Sequence, residues 1–159
     1  MSPQSVRLTL AALLLCLALP AAGQEVEVDL ELVLAIDVSQ SVDAQEGRLQ
    51  RQGYLEALAH PRVVEAIQNG RFGRIAVTYF EWAGPGLYRR LTDWRVIQDL
   101  ASAQAYTREL TRTPIARATG TSISGAIEVG AALFDRNGFA GSRRVIDISG
   151  DGPNNGGTN

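Results

Sequence analysis

Leu30-Glu31-Leu32-Val33-Leu34-Ala35-Ile36-Asp37-Val38-Ser39-Gln40-Ser41 is the stretch that decides the fold. Its first seven residues are apolar except for Glu31. Such a run suits a central strand covered on both faces, not one with a solvated side. Downstream, Asp43 with Glu46 three residues later reads as a capping box opening a helix that runs to about Ala59. Pro61 restarts a shorter helix to about Gln68, closed by Asn69-Gly70. Gly73 to Trp82 alternates and is rich in β-formers, so a second strand is expected there. Gly84-Pro85-Gly86 marks a turn, Leu87 to Leu91 a short returning strand, and Arg95 to Leu110 a helix. A loop around Pro114 and Gly120 follows. Ile123, Ala126, Ile127, Gly130, Ala131 and Phe134 then form one apolar helical stripe ending at Asn137-Gly138. Val145 to Ser149 is the last strand. Upstream, Gln24 to Asp29 reads as a short acidic lead-in. Strands alternating with helices predict an α/β fold whose sheet is mostly parallel, with one antiparallel edge hairpin.

Length and composition narrow the class. A chain of 159 residues is expected to form one domain after any leader. Apolar content of 45% and charged content of 20% are globular values. The net charge of -2 offers no basic patch for nucleic acid. Residues 1–23 have the pattern of a signal peptide. Arg7 gives a positive start, Leu8 to Leu19 is apolar, and Pro20-Ala21-Ala22-Gly23 places small residues before a cut at Gln24. The apolar run is too short for a spanning helix of about 20 residues. Cleavage would remove Cys16, the single cysteine, and leave no thiol for a disulfide or a metal. The expected product is an exported protein, periplasmic or secreted, of residues 24–159, with no membrane span.

The chemistry begins at the end of the central strand. In extended chain, side chains at i, i+2 and i+4 share a side. Asp37, Ser39 and Ser41 would then offer one carboxylate and two hydroxyls together. Hard oxygens of this kind suit Mg²⁺ or Mn²⁺, or Ca²⁺ with more ligands. The plainer alternative is a polar strand end leading into a helix cap. Thr121, at the start of the amphipathic helix, has N-capping as its plainer role, shared with Ser122. Asp151-Gly152 has an ordinary turn. Together they point further. In open α/β sheets, ligands gather beyond the carboxyl ends of strands. Asp37 and Asp151 both follow such strands. Bare carboxylates 4 Å apart would repel by about 1–4 kcal/mol. A divalent cation between them removes that cost.

These residues resemble the metal-ion-dependent adhesion site of von Willebrand factor A domains. Leu32 to Val42 is very close to that family's first motif, with Thr121 ahead of a helix and Asp151-Gly152 after a strand in matching places. Arg51 to Tyr54, Ile75 to Ala83 and Val145 to Asn155 look like a group of exported bacterial proteins of unknown function with an A-like domain. The resemblance implies a Rossmann-like, doubly wound sheet in which Ser39 and Ser41 bind the ion directly. Thr121 would bind directly or through water, and Asp37 and Asp151 partly through waters. One position would stay open for an acidic side chain of a protein partner. Thr119 competes for the threonine role. The family sheet has six main strands in the order 3-2-1-4-5-6, of which four are recognisable here. The expectation is therefore a domain that lacks its C-terminal part.

Other residues carry weaker expectations. Glu81 is placed on the same rim as Asp37, where it would tune the ion, contact a partner or simply be solvated. Asp147 is expected to be buried and to need a hydrogen bond or an Arg. His60 would have to serve any serine-hydrolase triad, but Gly120-Thr121-Ser122-Ile123-Ser124 misses the nucleophile motif at its last place. Function then divides three ways. A cation-dependent binding module is favoured, with Mg²⁺ as cofactor and a protein partner. A metal-dependent hydrolase using the same ion would need Asp147 or Glu81 as base. A structural remnant without an ion is the third reading. No catalytic constellation is convincing.

Overall fold

The structure, a computed structural model, describes residues 24–150 and 153–156. The expected leader and Asp151 lie outside the described residues. In chain order the elements are β1 (Val26–Val28), β2 (Leu30–Asp37), α1 (Ala44–Leu58), α2 (Pro61–Gln68), β3 (Ile75–Trp82), β4 (Tyr88–Ile97), α3 (Leu100–Thr111), α4 (Ile123–Ala132), β5 (Phe139–Gly141) and β6 (Arg144–Ser149).

The main sheet has the order β4-β3-β2-β6. β2 pairs in parallel with β3 on one side and with β6 on the other. β4 returns antiparallel on β3. Numbered by main strands, this is 3-2-1-4, the order that the A-like resemblance predicts for its first four. The sheet is thus mostly parallel with one antiparallel edge strand, covered by helices on both faces. It is a doubly wound α/β fold.

The parity of β2 explains the two layers. Leu34 and Ile36 face a cluster with Leu58 of α1, Val64 and Ile67 of α2, and Tyr106 and Leu110 of α3. Val33 and Ala35 face Ala126 of α4, Phe134, Phe80 and Trp82. Burying a side chain the size of Ile97 or Leu110, both 0% exposed, contributes roughly 1.5–3 kcal/mol. A central strand buried on both faces is what the apolar run requires.

Two expectations need correction. Residues 95–97 are not helical: β4 continues from Tyr88 to Ile97, and the helix begins at Leu100. Pairing with β3 along its length, through register shifts near Tyr79, overrides local propensity. Asp99 then stops the strand, accepting a hydrogen bond from the Ser102 N–H at 2.7 Å. The acidic lead-in contains a strand, β1, which pairs in parallel with β5. Three-residue strands carry too little pattern to read locally. Glu31, the one charged residue in the apolar run, is 0% exposed. It accepts from Asn137 Nδ2 at 2.6 Å, Gly141 N at 2.7 Å and Arg144 Nε at 3.3 Å, and so ties the β5–β6 turn to β2. No helix among the described residues is long and apolar enough to cross a membrane.

Candidate metal centre

The site is built at the carboxyl edge of the sheet. Asp37 ends β2 opposite Trp82 and is 0% exposed. Its Oδ1 accepts from the Ser39 N–H at 2.7 Å. Ser39 itself is 2% exposed, and its Oγ lies 2.8 Å from Ser41 Oγ. The two serines do meet, but not through extended-chain parity. A turn begins at Gln40, and the Val42 N–H reaches back to Ser39 O at 3.1 Å.

Thr121 comes from the loop between α3 and α4. This loop lies against the Asp37 loop through an isolated parallel bridge between Ser39 and Ala118, with Ala118 N donating to Val38 O at 3.2 Å. It also lies against the β3–β4 turn. Ser122 N donates to Ala83 O at 3.0 Å, and Gly84 N to Thr119 O at 3.2 Å. The helix cap is Ser122, whose Oγ accepts from Gly125 N at 3.3 Å, so capping does not use Thr121. Thr121 is buried while the competing Thr119 is exposed.

Gly150 brings the end of β6 to the same place. A Cβ built on it would lie 3.2 Å from Asp37 Oδ2. Beyond the undescribed Asp151 and Gly152, the chain clasps the start of α4. Asn155 Oδ1 accepts from Thr121 N at 2.8 Å, and Asn154 Oδ1 from Ile123 N at 3.0 Å. Asn155 N and Gly156 N both donate to Thr121 O at 3.0 Å. Ser122 already caps α4, and nothing local tells that Asn154 and Asn155 reach the N–H groups of Ile123 and Thr121. Of the five predicted positions, Asp37, Ser39 and Ser41 share one loop and Thr121 sits on the loop bridged to it. The position of Asp151 is outside the described residues.

Glu81 is neither solvated nor on an open rim. It is 0% exposed, paired with Arg51 on one oxygen and with Arg89 at 2.7 Å on the other, where Ala116 N also donates at 3.0 Å. Arg51 continues to Thr113 O and Arg89 to Pro114 O. The carboxylate thus anchors the start of the Thr121 loop to β3. Asp147 is exposed rather than buried, because β6 has a neighbour in the main sheet on one side. Asp147 accepts from Tyr54 OH at 3.1 Å. Burial, and then the Asp147 charge, raise the pKa of that phenol. His60 caps α2, its Nδ1 accepting from Arg62 N at 3.2 Å. Both candidate bases of the hydrolase reading are therefore engaged in structural bonds. Among the described residues no group of three His, Cys, Asp or Glu gathers to hold a metal. A cation here would depend on hydroxyl oxygens as well as carboxylates.

A crystal structure of three N-terminal domains of the type V pili tip protein Mfa5 from Porphyromonas gingivalis aligns with a TM-score of 0.48 and 15% identity, over 75% of this chain and 19% of that one. A crystal structure of the vWF domain of the same protein aligns with a TM-score of 0.47 and 16% identity, over 75% of this chain and 36% of that one. The chain spans well under two thirds of the length of either. No curated protein matches. A family model does match, across residues 27–159, and the chain belongs to that family, described as protein of unknown function (DUF1194).

Proposed function

We propose that the protein is an exported, divalent-cation-dependent binding module of the adhesion type. Asp37, Ser39, Ser41, Thr121 and Asp151 would hold one Mg²⁺, with Mn²⁺ or Ca²⁺ as substitutes. An open coordination position would take an acidic side chain of a protein partner. Bound there, the ion would balance the two carboxylates Asp37 and Asp151 and act as a Lewis acid toward an oxygen ligand at the open position. Asp37 sets the loop by accepting from the Ser39 N–H, and the two serines turn their hydroxyls toward each other.

One observation carries the reading. The Ser39 and Ser41 hydroxyls hydrogen-bond to each other at 2.8 Å, and an octahedral ion with bonds of about 2.0–2.1 Å, whose adjacent oxygens lie roughly 2.9 Å apart, could take both with little movement. The chemistry of the donor set, all hard oxygen, fits the same ions. Melting curves test it. Mg²⁺ at about one hundred times its Kd should stabilise by about 2.7 kcal/mol and raise Tm by roughly 5–10 °C. Asp37→Ala and Ser39→Ala should each abolish the rise. Identical curves in Mg²⁺ and EDTA for the unsubstituted protein would overturn the reading.

A further inference from the structure

A cleft of about 620 Å³ lies beside the cation loop, between α1 and the segment that leaves α3. That size falls within the roughly 300–1,000 Å³ of small-molecule sites. Val38, Val42, Leu55 and Ile115 supply its apolar wall, and Arg48 and Arg117 are exposed beside it. Arg51 also lines it but is buried and committed to Glu81. The carboxylate in the wall is Asp43, whose Oδ1 accepts from Gln45 N at 2.6 Å and Glu46 N at 2.9 Å. Arg117 and Arg48 both act on the Asp43 carboxylate, so two guanidiniums face one carboxylate and leave one positive charge in excess.

Gly47 gives the cleft its depth. It lies inside α1, where alanine is the better helix residue. Space does not exclude alanine. A Cβ there would sit 3.7 Å from Val42 Cγ1 and 3.8 Å from Ile115 Cγ2, ordinary contact distances. The bare backbone thus leaves open a volume that a side chain would occupy.

We propose that this cleft binds a small apolar carboxylate, either an aliphatic acid or the aliphatic C-terminal residue of a peptide. The carboxylate pairs with Arg48 and Arg117, and the tail packs on Val42, Leu55 and Ile115. The site does not depend on the cation.

Isothermal titration calorimetry of the full chain in EDTA tests it, with octanoate and N-acetyl-alanyl-leucine as the two acids and octylamine and acetate as controls. At least one acid should saturate a single site, with both controls at least tenfold weaker. Saturation by octanoate alone identifies an aliphatic acid, and by the dipeptide alone a peptide terminus. Gly47→Leu, which fills the cleft, and the Arg48→Ala/Arg117→Ala pair should each weaken binding at least tenfold. The arginine pair is on the surface and decides the matter even if Gly47→Leu fails to fold. The proposal is overturned if neither acid saturates, if octylamine binds as well, or if the arginine pair changes nothing. Because EDTA is present throughout, a failure here leaves the cation reading untouched.

Discussion

At the scale of the residue, Glu81 and Gly84 show how the Thr121 loop is held. Glu81 places one carboxylate, 0% exposed, against two guanidiniums and a backbone N–H. Removing one member of a buried charged set leaves the others unpaired, at a cost of about 3–5 kcal/mol. Glu81→Gln should therefore lower the urea midpoint by that equivalent without changing the slope. By contrast, the Arg90–Asp93 pair is exposed on both sides and should contribute at most about 1 kcal/mol. Gly84 is a matter of space. A Cβ there would lie 2.5 Å from Thr119 O and 3.1 Å from the Cα of Gly120, which itself has φ +80. Both obstacles are backbone. Gly84→Ala should cost roughly 1–3 kcal/mol and displace the loop that carries Thr121. A Mg²⁺ melting shift that survives this substitution unchanged would show that the loop's position does not matter to the ion.

At the scale of the element, the helix starts are set by side chains more than by propensity. Asp43 caps α1 and Asp99 caps α3, and each donates its own N–H in return to the side chain of the third helical residue. The Glu46 and Gln45 N–H groups hold the Asp43 carboxyl below its usual range, and the Ser102 N–H and hydroxyl do the same for Asp99. A depressed folded pKa means the stabilisation is present above the ordinary value near 4 and is lost as pH falls through the lower one. Asp99→Ala should lower Tm by a few degrees, roughly 2–6 °C, at pH 7. The difference between variant and parent should shrink below about pH 4. A gap that stays constant down to pH 2 would contradict the assignment.

At the scale of the whole molecule, the layer beneath α1, α2 and α3 has a distinctive titration. Burial pushes the Tyr79 phenol up to about 12, against a smaller opposing effect of Arg51, whose guanidinium lies 5.8 Å from the ring centroid. Burial raises Tyr106 as well, with Thr92 opposing. The unfolded chain would ionise both near pH 10. Their contribution to stability is complete below that pH and declines as pH rises toward the folded values. Absorbance at 295 nm should show Tyr79 and Tyr106, two of the four tyrosines, ionising together with the loss of near-UV circular dichroism above pH 10. Ionisation of all four well before unfolding would mean that this layer is wet.

How much of this was legible depends on the range of the cause. The apolar run Leu30 to Ile36, the capping box at Asp43 and the stripe from Ile123 to Phe134 are local patterns, and the elements follow them. The nearness of Asp37, Ser39 and Ser41 was legible because the three lie within five residues, but a turn at Gln40 and not extended-chain parity brings the two hydroxyls together. The α/β class and the strand order followed from alternation and resemblance. Tertiary structure decided the rest. It extended β4 through Arg95, because pairing with β3 outweighs helix preference. It buried Glu81 between Arg51 and Arg89, exposed Asp147 at an edge, and clasped Thr121 with Asn155. Apart from the exposure of Asp147 and the short Glu81–Arg89 span, these are contacts between residues far apart in the chain. Local spacing carries no information about such contacts, and burial and charge balance are properties of the assembled sheet.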